Sequence, residues 1–598
     1  MDYADQTVLE DSKRAFREAR DMTQTARQRA RIARRYYDGK NDPALERTLR
    51  RKKQPDFVNN YVRLGVEGIV GVIENGKTDP RAYPRNPQDD DASEVATDCL
   101  RFVSDSERWH NKKTGGFRFM TIEGVCAFIV EVDAKLDPKP RMIRYEEYFY
   151  DPYSRELDFG DKSYDGIAKW QNLDAVISAY PEYREALTTV CQSNGLADSG
   201  FEDRPNDGVM WIDARRKRLL VIEMYRLIES TWHKTVFVGD LVLEHGVSPY
   251  LDNEDQPCNP IEGATAYIDD ENIRYGRVHD MMGPQDEINV YRRKAAHYAT
   301  FRQLQETDPS SAGIDPEEAR REAARADGVI PAGWGVVSNT DKFSMDQSLL
   351  AEAKGFIERT GPSPALIGRA ASSSGRQDLV RQQAGLTELA HLYVGLEDLE
   401  LRVYRQIWAR IRQFWTDEKY VRVTDDEQAF KFVHINQPIM EMMPVVDPAT
   451  GLPSYDPTTR QIRMAPQQVG VNNQVASMEM DIIVDTTPDT ANVQQEQYDK
   501  LVELAKVYGP QEVPFDDILR VSSLPKKREL MDARKARQQQ GGQPSPEQQE
   551  AQQIAKQTAL AELSKTQSET AKNEASALKT VSDTRAQNLE TDLRGVGF

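Results

Sequence analysis

The chain contains few of the residues that build disulfide frameworks and metal sites. Its 598 residues include four cysteines and seven histidines, with no Cys-x-x-Cys pair and no His-Glu-x-x-His motif. We therefore expect reduced thiols in a cytosolic protein, with neither a disulfide framework nor a metal site.

Long apolar runs are also missing. The first ten residues, MDYADQTVLE, are acidic, and no stretch of about 18 consecutive apolar residues occurs. We expect neither a secretory signal nor a membrane span. Hydrophobic residues still make up 39% of the chain and charged residues 29%, which is typical of a soluble protein with a sizeable core.

Acidic residues outnumber basic ones over the whole chain, 97 to 78, but positive charge is concentrated near its start. A net charge of −19 argues against general wrapping of nucleic acid. Between Lys13 and Lys53, however, 15 basic residues stand against 5 acidic ones. The arginines there that could contact phosphates are Arg14, Arg17, Arg20, Arg27, Arg29, Arg31, Arg34 and Arg35. A solvated helix and docking on an acidic partner surface are the alternatives.

Catalytic signatures are missing, apart from one match to a nucleotide-binding pattern. Residues 71–78 read GVIENGKT and fit the Walker A pattern letter for letter. A phosphate-binding loop needs a strand before it and a helix after it. The preceding segment has a helical pattern, and Pro80, Pro84 and Pro87 exclude the following helix. We predict a helix end followed by an extended segment, with no catalytic residue and no cofactor.

The first half of the chain mixes predicted helices and strands. Helical patterns cover residues 9–37 and 92–109. The segment VCAFIVEVD reads as a buried strand, and further strands follow around RMIRYEEYFYDPYS. Residues 231–245 predict a hairpin whose two-residue turn is Gly239-Asp240.

The second half is dominated by predicted helices. One helix should start at Pro284 and run to about Glu306, and another should cover 346–360. Asp315 can cap a short helix between them. A Gly/Ser/Pro loop then leads into a long amphipathic helix from Arg376 to about Trp415. Its apolar stripe consists of Leu396, Leu399, Val403, Ile407 and Ile411. Strands are expected at 419–435 and 480–485.

The last fifty residues form an unusual polar segment. From Glu547 to Arg594 there is no proline and no glycine, and Ala, Gln, Glu, Lys, Ser and Thr dominate. This composition favours helix, but a lone helix so polar has little to bury. The segment is therefore either disordered or stabilised by copies of itself packed through small Ala and Ser faces. The second alternative implies a ring.

Together these patterns predict a mixed α/β (α+β), helix-rich fold, and the order of its parts resembles the portal proteins of tailed bacteriophages. The stretch DPYSRELDFGDKSY (151–164) is similar to an Asp-Pro-x-Ser segment of that family. RYGRVHDMMGPQDEINVYRRK (274–294) is similar to its run into the first stem helix, with Asp280, Gln285 and Asn289 matching. The segments NNYVRLGVEGIVGVIENGKTDPRAYP and DIIVDTTPDTANVQQEQ also fit. The resemblance is strongest for short-tailed phages with a C-terminal helical barrel.

The resemblance implies a portal fold with wing, stem, clip, crown and barrel. The implied segments are an N-terminal wing region (1–283), stem helix 1 (284–306), the clip (307–345), stem helix 2 (346–360), the tunnel loop (361–375), the long helix and wing return (376–490), the crown (491–540), and a linker with helical barrel (541–598).

The same resemblance implies which residues meet DNA and partners. The channel or loop residues expected to face DNA are Arg292, Arg293, Lys294, Arg302, Ser363, Arg369, Ser372 and Arg376. The clip residues expected to dock terminase or adaptors are Glu317, Glu318, Arg320, Arg321 and Trp334.

The implied function is a non-enzymatic ring, usually of about twelve subunits, at one capsid vertex. Double-stranded DNA would pass through it during packaging and ejection. The implied partners are the major capsid protein, scaffolding protein, terminase and tail adaptor proteins, with assembly in the host cytoplasm and no membrane. Two alternatives stay open: a packaging ATPase, from the Walker-like octet, and a coiled-coil scaffolding or adaptor protein, from the polar tail.

Overall fold

The computed structural model describes most of the first 485 residues. The described ranges are 3–52, 56–76, 78–85, 90–193, 211–300, 304–308, 315–325, 327–336, 340–360, 389–424, 430–444 and 464–485. Contacts divide the chain into two units, Met1–Thr490 and Ala491–Phe598. The second unit lies outside the described residues, and so do the predicted crown, linker and barrel, which stay predictions.

Helices and strands alternate along the described part, which confirms the mixed α+β class. The helices are α1 (Tyr3–Met22), α2 (Gln24–Tyr37), α3 (Pro43–Arg51), α4 (Tyr61–Asn75), α5 (Asp90–Ser106), α6 (Trp109–Glu123), α7 (Leu173–Ala179), α8 (Arg184–Ser193), α9 (Val278–Thr300), α10 (Pro316–Ala324), α11 (Thr340–Thr360) and α12 (Ala390–Phe414). Among the described residues, no helix has the length and apolar character needed to cross a membrane.

The strands form several antiparallel sheets. They are β1 (Asp79–Pro84), β2 (Val125–Val132), β3 (Pro138–Ile143), β4 (Tyr148–Tyr150), β5 (Tyr164–Asn172), β6 (Ile212–Asp213), β7 (Arg218–Ile228), β8 (Thr231–Val238), β9 (Leu241–Val247), β10 (Ile261–Thr265), β11 (Tyr267–Ile268), β12 (Arg274–Tyr275), β13 (Leu304–Glu306), β14 (Trp334–Val336), β15 (Lys419–Thr424), β16 (Phe430–Ile435), β17 (Gln437–Pro444), β18 (Met464–Asn472) and β19 (Met480–Asp485).

The predicted N-terminal helix is present but divided at Thr23. The Thr23 hydroxyl donates to the Ala19 carbonyl at 2.6 Å and accepts from the Arg27 Nε at 3.1 Å. Such bonding of a threonine back to the preceding turn bends helices. Beyond this break, Ala26, Ala30 and Ala33 of α2 are buried, so that α2 packs through small side chains.

The main core surrounds α12. The predicted stripe residues of this helix are all buried: Leu396, Leu399, Val403, Ile407 and Ile411. They pack with residues of α4, α5, α6 and β2 in one cluster. Residues three and four apart share a helix face, which explains why the stripe faces inward. The predicted part of this helix before Leu389 lies outside the described residues.

Two sheets extend the body. In the first, β2 lies between β10 and β3. The second has the order β4-β5-β7-β8-β9, with β6 paired to β7. The predicted hairpin is confirmed as β8 and β9, and Gly239 in its turn has φ +57°, which glycine adopts without strain. Strands β1 and β19 pair along their whole length and join distant parts of the chain.

The predicted first stem helix needs two corrections. Helix α9 begins at Val278, so Pro284 lies inside it, and its end is at Thr300 because Leu304–Glu306 is strand β13. A proline disfavours helical backbone at the residue before it through a clash with that residue's Cβ. The preceding residue is Gly283, which has no Cβ, so the helix continues across Pro284 with the loss of one hydrogen bond.

The second stem helix also begins earlier than predicted. Helix α11 starts at Thr340, not at residue 346, so the last residues assigned to the clip are helical. The predicted tunnel loop, 361–375, lies outside the described residues.

Candidate functional site

Helices α9 and α11 pack side by side against the start of α4. Ile288 of α9 and Leu350, Ala353 and Ile357 of α11 form a separate buried cluster, with Tyr61 packed against it. Lys294 lies 3.9 Å from Asp346 and its ammonium stands over the Tyr291 ring at 5.2 Å. An ion pair of this length with a half-exposed lysine contributes little, so the apolar cluster is the main contact that holds the two helices together.

A small unit connects the two helices. Strands β13 and β14 pair antiparallel, with Leu304 opposite Val336 and Glu306 opposite Trp334. Between them lies α10, whose N-cap Asp315 accepts from the Glu317 N–H at 3.0 Å, as predicted. The chain between the two helices therefore consists, in order, of strand β13, the short capped helix α10 and strand β14.

The predicted clip residues lie on the outside of this unit. Ala319 and Ala323 of α10 are buried. The predicted docking residues on the other face of that helix, all exposed, are Glu317, Glu318, Arg320 and Arg321. Trp334 of β14 is half-buried, and its indole N–H is buried without a hydrogen-bond partner in the described part of the chain. The exposed face of α10 thus offers charges of both signs.

The helix pair is anchored to the body by two buried amide side chains. The Gln285 Oε1 accepts from the Tyr61 N–H at 2.9 Å and the Val62 N–H at 3.3 Å, while its Nε2 donates to the Asn59 carbonyl at 2.6 Å. Asn289 accepts from the Asn59 N–H at 3.2 Å. Because the first N–H groups of a helix have no partner within it, Gln285 satisfies the start of α4 from another helix.

The predicted DNA-facing residues on α9 differ in environment. Arg292 and Lys294 are exposed, whereas Arg293 is 7% exposed. Burial lowers the pKa of Arg293, opposed by the nearby Asp286 and Asp56, and an arginine stays charged in any case. Its Nη1 is buried and unpaired within the described residues. The other predicted channel residues lie outside the described residues: Arg302, Ser363, Arg369, Ser372 and Arg376.

Several N-terminal arginines bind the chain itself. Arg27 donates to the carbonyls of Tyr145 at 3.3 Å and Tyr148 at 2.7 Å. Arg29 pairs with Asp269 at 2.7 Å, and Arg34 pairs with Glu123 at 3.0 Å. Docking on an acidic partner surface was one alternative for these arginines. Some of the acidic groups that they bind belong instead to the same chain. The arginines of this set that are exposed and have no ion pair among the described residues are Arg17, Arg20 and Arg31.

The Walker-like octet has no phosphate-loop geometry. Its first five residues are the end of helix α4, and strand β1 follows it, as the sequence predicted. The Thr78 hydroxyl donates to Glu400 at 2.6 Å and accepts from Lys113 at 2.6 Å. Lys113 and Glu400 form a buried ion pair at 3.0 Å, and the Trp109 indole donates to the same carboxylate. The threonine therefore completes a buried polar network of the core.

The segment 151–164 forms a loop held by its own carboxylates. Asp151 accepts from the N–H groups of Tyr153 and Ser163, each at 3.0 Å. Asp161 accepts from the Ser154 hydroxyl at 2.6 Å. The buried Arg274 guanidinium lies 3.9 Å from the Phe159 ring centre and donates to the Ser154 carbonyl at 3.0 Å. This role of Arg274 was not predicted, because nothing in the sequence marks one arginine as buried.

The described residues thus form an α+β body that carries a pair of long packed helices joined by a small exposed unit. Comparison with family models gives the class of protein. Residues 13–580 match the phage P22-like portal protein family, so the chain belongs to that family. No curated protein matches the chain.

Membership of this family defines the general role. The chain is a structural, non-enzymatic bacteriophage portal protein, a virion component at a capsid vertex that serves DNA packaging. The family implies ring assembly with capsid, terminase and tail proteins in general. The ATPase alternative is therefore wrong, in agreement with the geometry around Thr78.

Proposed function

We propose that about twelve copies of this chain close into a ring whose central channel conducts double-stranded DNA during packaging and ejection. The observation that carries the proposal is the α9–α11 pair, two long helices on a well-packed α+β body that end in one small exposed unit. A ring closes when one heterologous contact repeats with a fixed rotation, and such a contact needs a rigid body.

Within this proposal the segments keep their roles with adjusted bounds. Helices α9 (Val278–Thr300) and α11 (Thr340–Thr360) form the stem around the channel. The unit that begins at β13 and ends at β14 forms the clip, and the body before α9 and after residue 389 forms the wing. Residues 361–375 form the tunnel loop, 491–540 the crown and 541–598 the linker and barrel of a short-tailed phage portal.

The charge of the chain supports a conduit. Each copy carries a net charge of −19, so an assembled ring repels the DNA backbone. Tight phosphate binding would stall translocation, since every neutralised phosphate adds affinity. Arg292 is the exposed basic residue of α9 without an ion pair among the described residues, and together with Lys294 and Arg293 it is our candidate for brief contact with passing phosphates.

The clip surface supports docking of terminase and then tail adaptors. Glu317, Glu318, Arg320 and Arg321 on α10 are exposed, and charges of both signs favour a specific partner over a general polyanion or polycation. The major capsid protein and scaffolding protein would contact the wing during assembly in the host cytoplasm.

Negative-stain images of the purified full-length protein test this function. We expect rings with a central hole, and we expect them also after deletion of residues 541–598. If the deletion abolished all assembly, the coiled-coil scaffolding or adaptor alternative would be favoured, because assembly would then depend on the polar tail alone.

A further inference from the structure

Strands β17 and β18 form an arm that lies outside the hydrophobic cores. Among the described strands they pair only with each other, and none of their residues belongs to a buried cluster. Six large apolar side chains of the arm expose between 39% and 60% of their surface: Ile439, Met440, Met442, Met443, Met464 and Val469. An isolated two-stranded hairpin is only marginally stable in water, so this arm needs a further contact.

The base of the arm is nevertheless fixed to the body. Asn436, just before β17, has φ +54°, and Asn473, just after β18, has φ +51°. The Asn436 N–H donates to the Asn473 carbonyl at 3.1 Å. The Asn436 amide also donates to the buried Trp415 carbonyl at 2.8 Å and accepts from the Val475 N–H at 3.1 Å. The base of the arm is therefore fixed to the body, while the faces of the arm are exposed to solvent.

Apolar side chains project from both faces of the arm. Adjacent residues of a strand point to opposite faces, and both Met442 and Met443 are exposed. The preceding hairpin is different, because Val421 and Val433 bury its inner face while Tyr420 and Phe432 expose about two thirds of their surface, at 66% and 67%, on the outer one. An occupant must therefore cover the arm from two sides.

The charge of the arm selects the kind of occupant. Its two strands, QPIMEMMP and MAPQQVGVN, contain one charged residue, Glu441, in a chain that is 29% charged. Neither strand contains a lysine or an arginine, so the two strands lack the side chains that neutralise phosphates. Depletion of charge and enrichment in methionine are typical of protein–protein interface cores, and apolar patches of this kind mark interaction sites.

The occupant that fits best is a second copy of this chain. In a head-to-tail ring every copy presents the same surface to its neighbour, and that neighbour is present at all stages of particle assembly. Capsid, terminase and tail proteins bind at separate stages and would leave a methionine-rich arm uncovered in the free ring.

We propose that the β17–β18 arm inserts against the adjacent copy and is a principal apolar contact of the ring. This inference rests on the proposed function, since it requires that copies assemble side by side. It adds to that function the residues through which the contact is made, with Met442 near the middle of β17 as its most exposed member at 60%.

Site-specific photo-crosslinking tests the proposed contact. Met442→Cys in the full-length chain would be labelled with a benzophenone maleimide and irradiated. The four native cysteines are buried, and burial raises the pKa of Cys99 and Cys126 to about 12, so they react slowly. Met22→Cys on α1 is the matched control, because Met22 is 52% exposed. We expect crosslinked dimers and higher species from position 442 and none from position 22.

The outcomes separate the contact from the ring. Rings in the micrographs with no intersubunit crosslink at position 442 would overturn the arm contact and leave the ring intact. Crosslinks confined to one chain, or formed only with another virion protein, would overturn it as well, and so would equal crosslinking from position 22. Absence of rings in the unmodified protein would instead overturn the proposed function.

An assembly titration gives a second test that needs no label. Met442→Gln keeps the side-chain length but places an amide in the contact, whereas Met442→Leu keeps it apolar. We expect Met442→Gln to weaken association by about tenfold or more per contact. Met22→Gln and Met442→Leu should assemble at the wild-type concentration. If Met442→Gln assembled at the same concentration as Met22→Gln, the arm contact would be contradicted.

Discussion

Replacement of Gln285 by leucine tests the anchor between the stem helices and the body. Gln285 is 1% exposed. Its side chain satisfies the N–H groups of Tyr61 and Val62 and the carbonyl of Asn59. Leucine has a similar volume but no polar atom, so the Val62 N–H loses its partner, whereas the Tyr61 N–H and the Asn59 carbonyl keep the 3.0 Å hydrogen bond that joins them. A buried polar group left unpaired costs about 1–3 kcal/mol.

We expect Gln285→Leu to lower the free energy of unfolding by about 3 kcal/mol. This sum combines about 1–3 kcal/mol for the unpaired Val62 N–H with about 1 kcal/mol for the lost bonds to the Tyr61 N–H and the Asn59 carbonyl, which keep each other as partners. With a urea slope of about 3 kcal/mol per molar, the unfolding midpoint should fall by about 1 M. The assay is urea unfolding of the full-length protein, followed by circular dichroism.

The matched control is Glu287→Leu, which introduces the same residue two positions along α9 at an exposed site. Exposed substitutions of this kind stay within about 0.5 kcal/mol. Equal midpoints for Gln285→Leu and Glu287→Leu would refute the idea that Gln285 anchors the helix pair.

Two further predictions concern buried charges. Lys113→Met or Glu400→Leu alone should lower the free energy of unfolding by about 3–5 kcal/mol, because each leaves the other charge buried and unpaired. The double variant should recover most of this loss, because it leaves no unpaired charge. Urea midpoints of the three variants check this, and a double variant less stable than both single variants would contradict it. Burial raises the pKa of Glu123 from 4.5 to about 7, opposed by Arg34. The folded state therefore binds more protons than the unfolded state between these values, so ionisation of Glu123 lowers stability as pH rises from about 4.5 to 7. In the Glu123→Gln variant the urea midpoint should therefore fall less between pH 4.5 and about 7 than in the wild type. An equal fall of the midpoint in both proteins would count against the raised pKa of Glu123.

Periodicity and turn chemistry made much of the fold predictable. The stripe from Leu396 to Ile411 has helical spacing and is buried as expected. The turn at Gly239 joined the predicted strands, and Asp315 capped the predicted helix. In each case the local sequence and the long-range packing favour the same structure, which is when prediction from sequence succeeds.

The errors have local causes as well. The start of α9 was placed at Pro284 because proline is common at a helix start, although Gly283 before it relieves the clash that ends most helices. The arm was missed because β17 and β18 contain prolines and glutamines, which are not typical of strands. Within one chain the two strands pair only with each other among the described strands, and neither face is buried. The alternation of apolar and polar residues that normally marks a half-buried strand is therefore missing.

The candidate site was only partly predictable. Charge clusters could be read from the sequence, but not their partners: Arg34 binds Glu123 within the chain, and Arg293 of the predicted channel set is buried. The match of Gln285 and Asn289 to the family pattern pointed to important residues. Their physical role, as hydrogen-bond partners of the start of α4, required the structure, because the residues they bind lie more than two hundred positions away.

The most direct test of the central claim is the native mass of the assembled full-length protein. A closed ring predicts one dominant species at about twelve times the 68.0 kDa of the chain, and a neighbouring subunit number would still support a ring. A protein that stays a monomer or dimer under all assembly conditions would contradict the account.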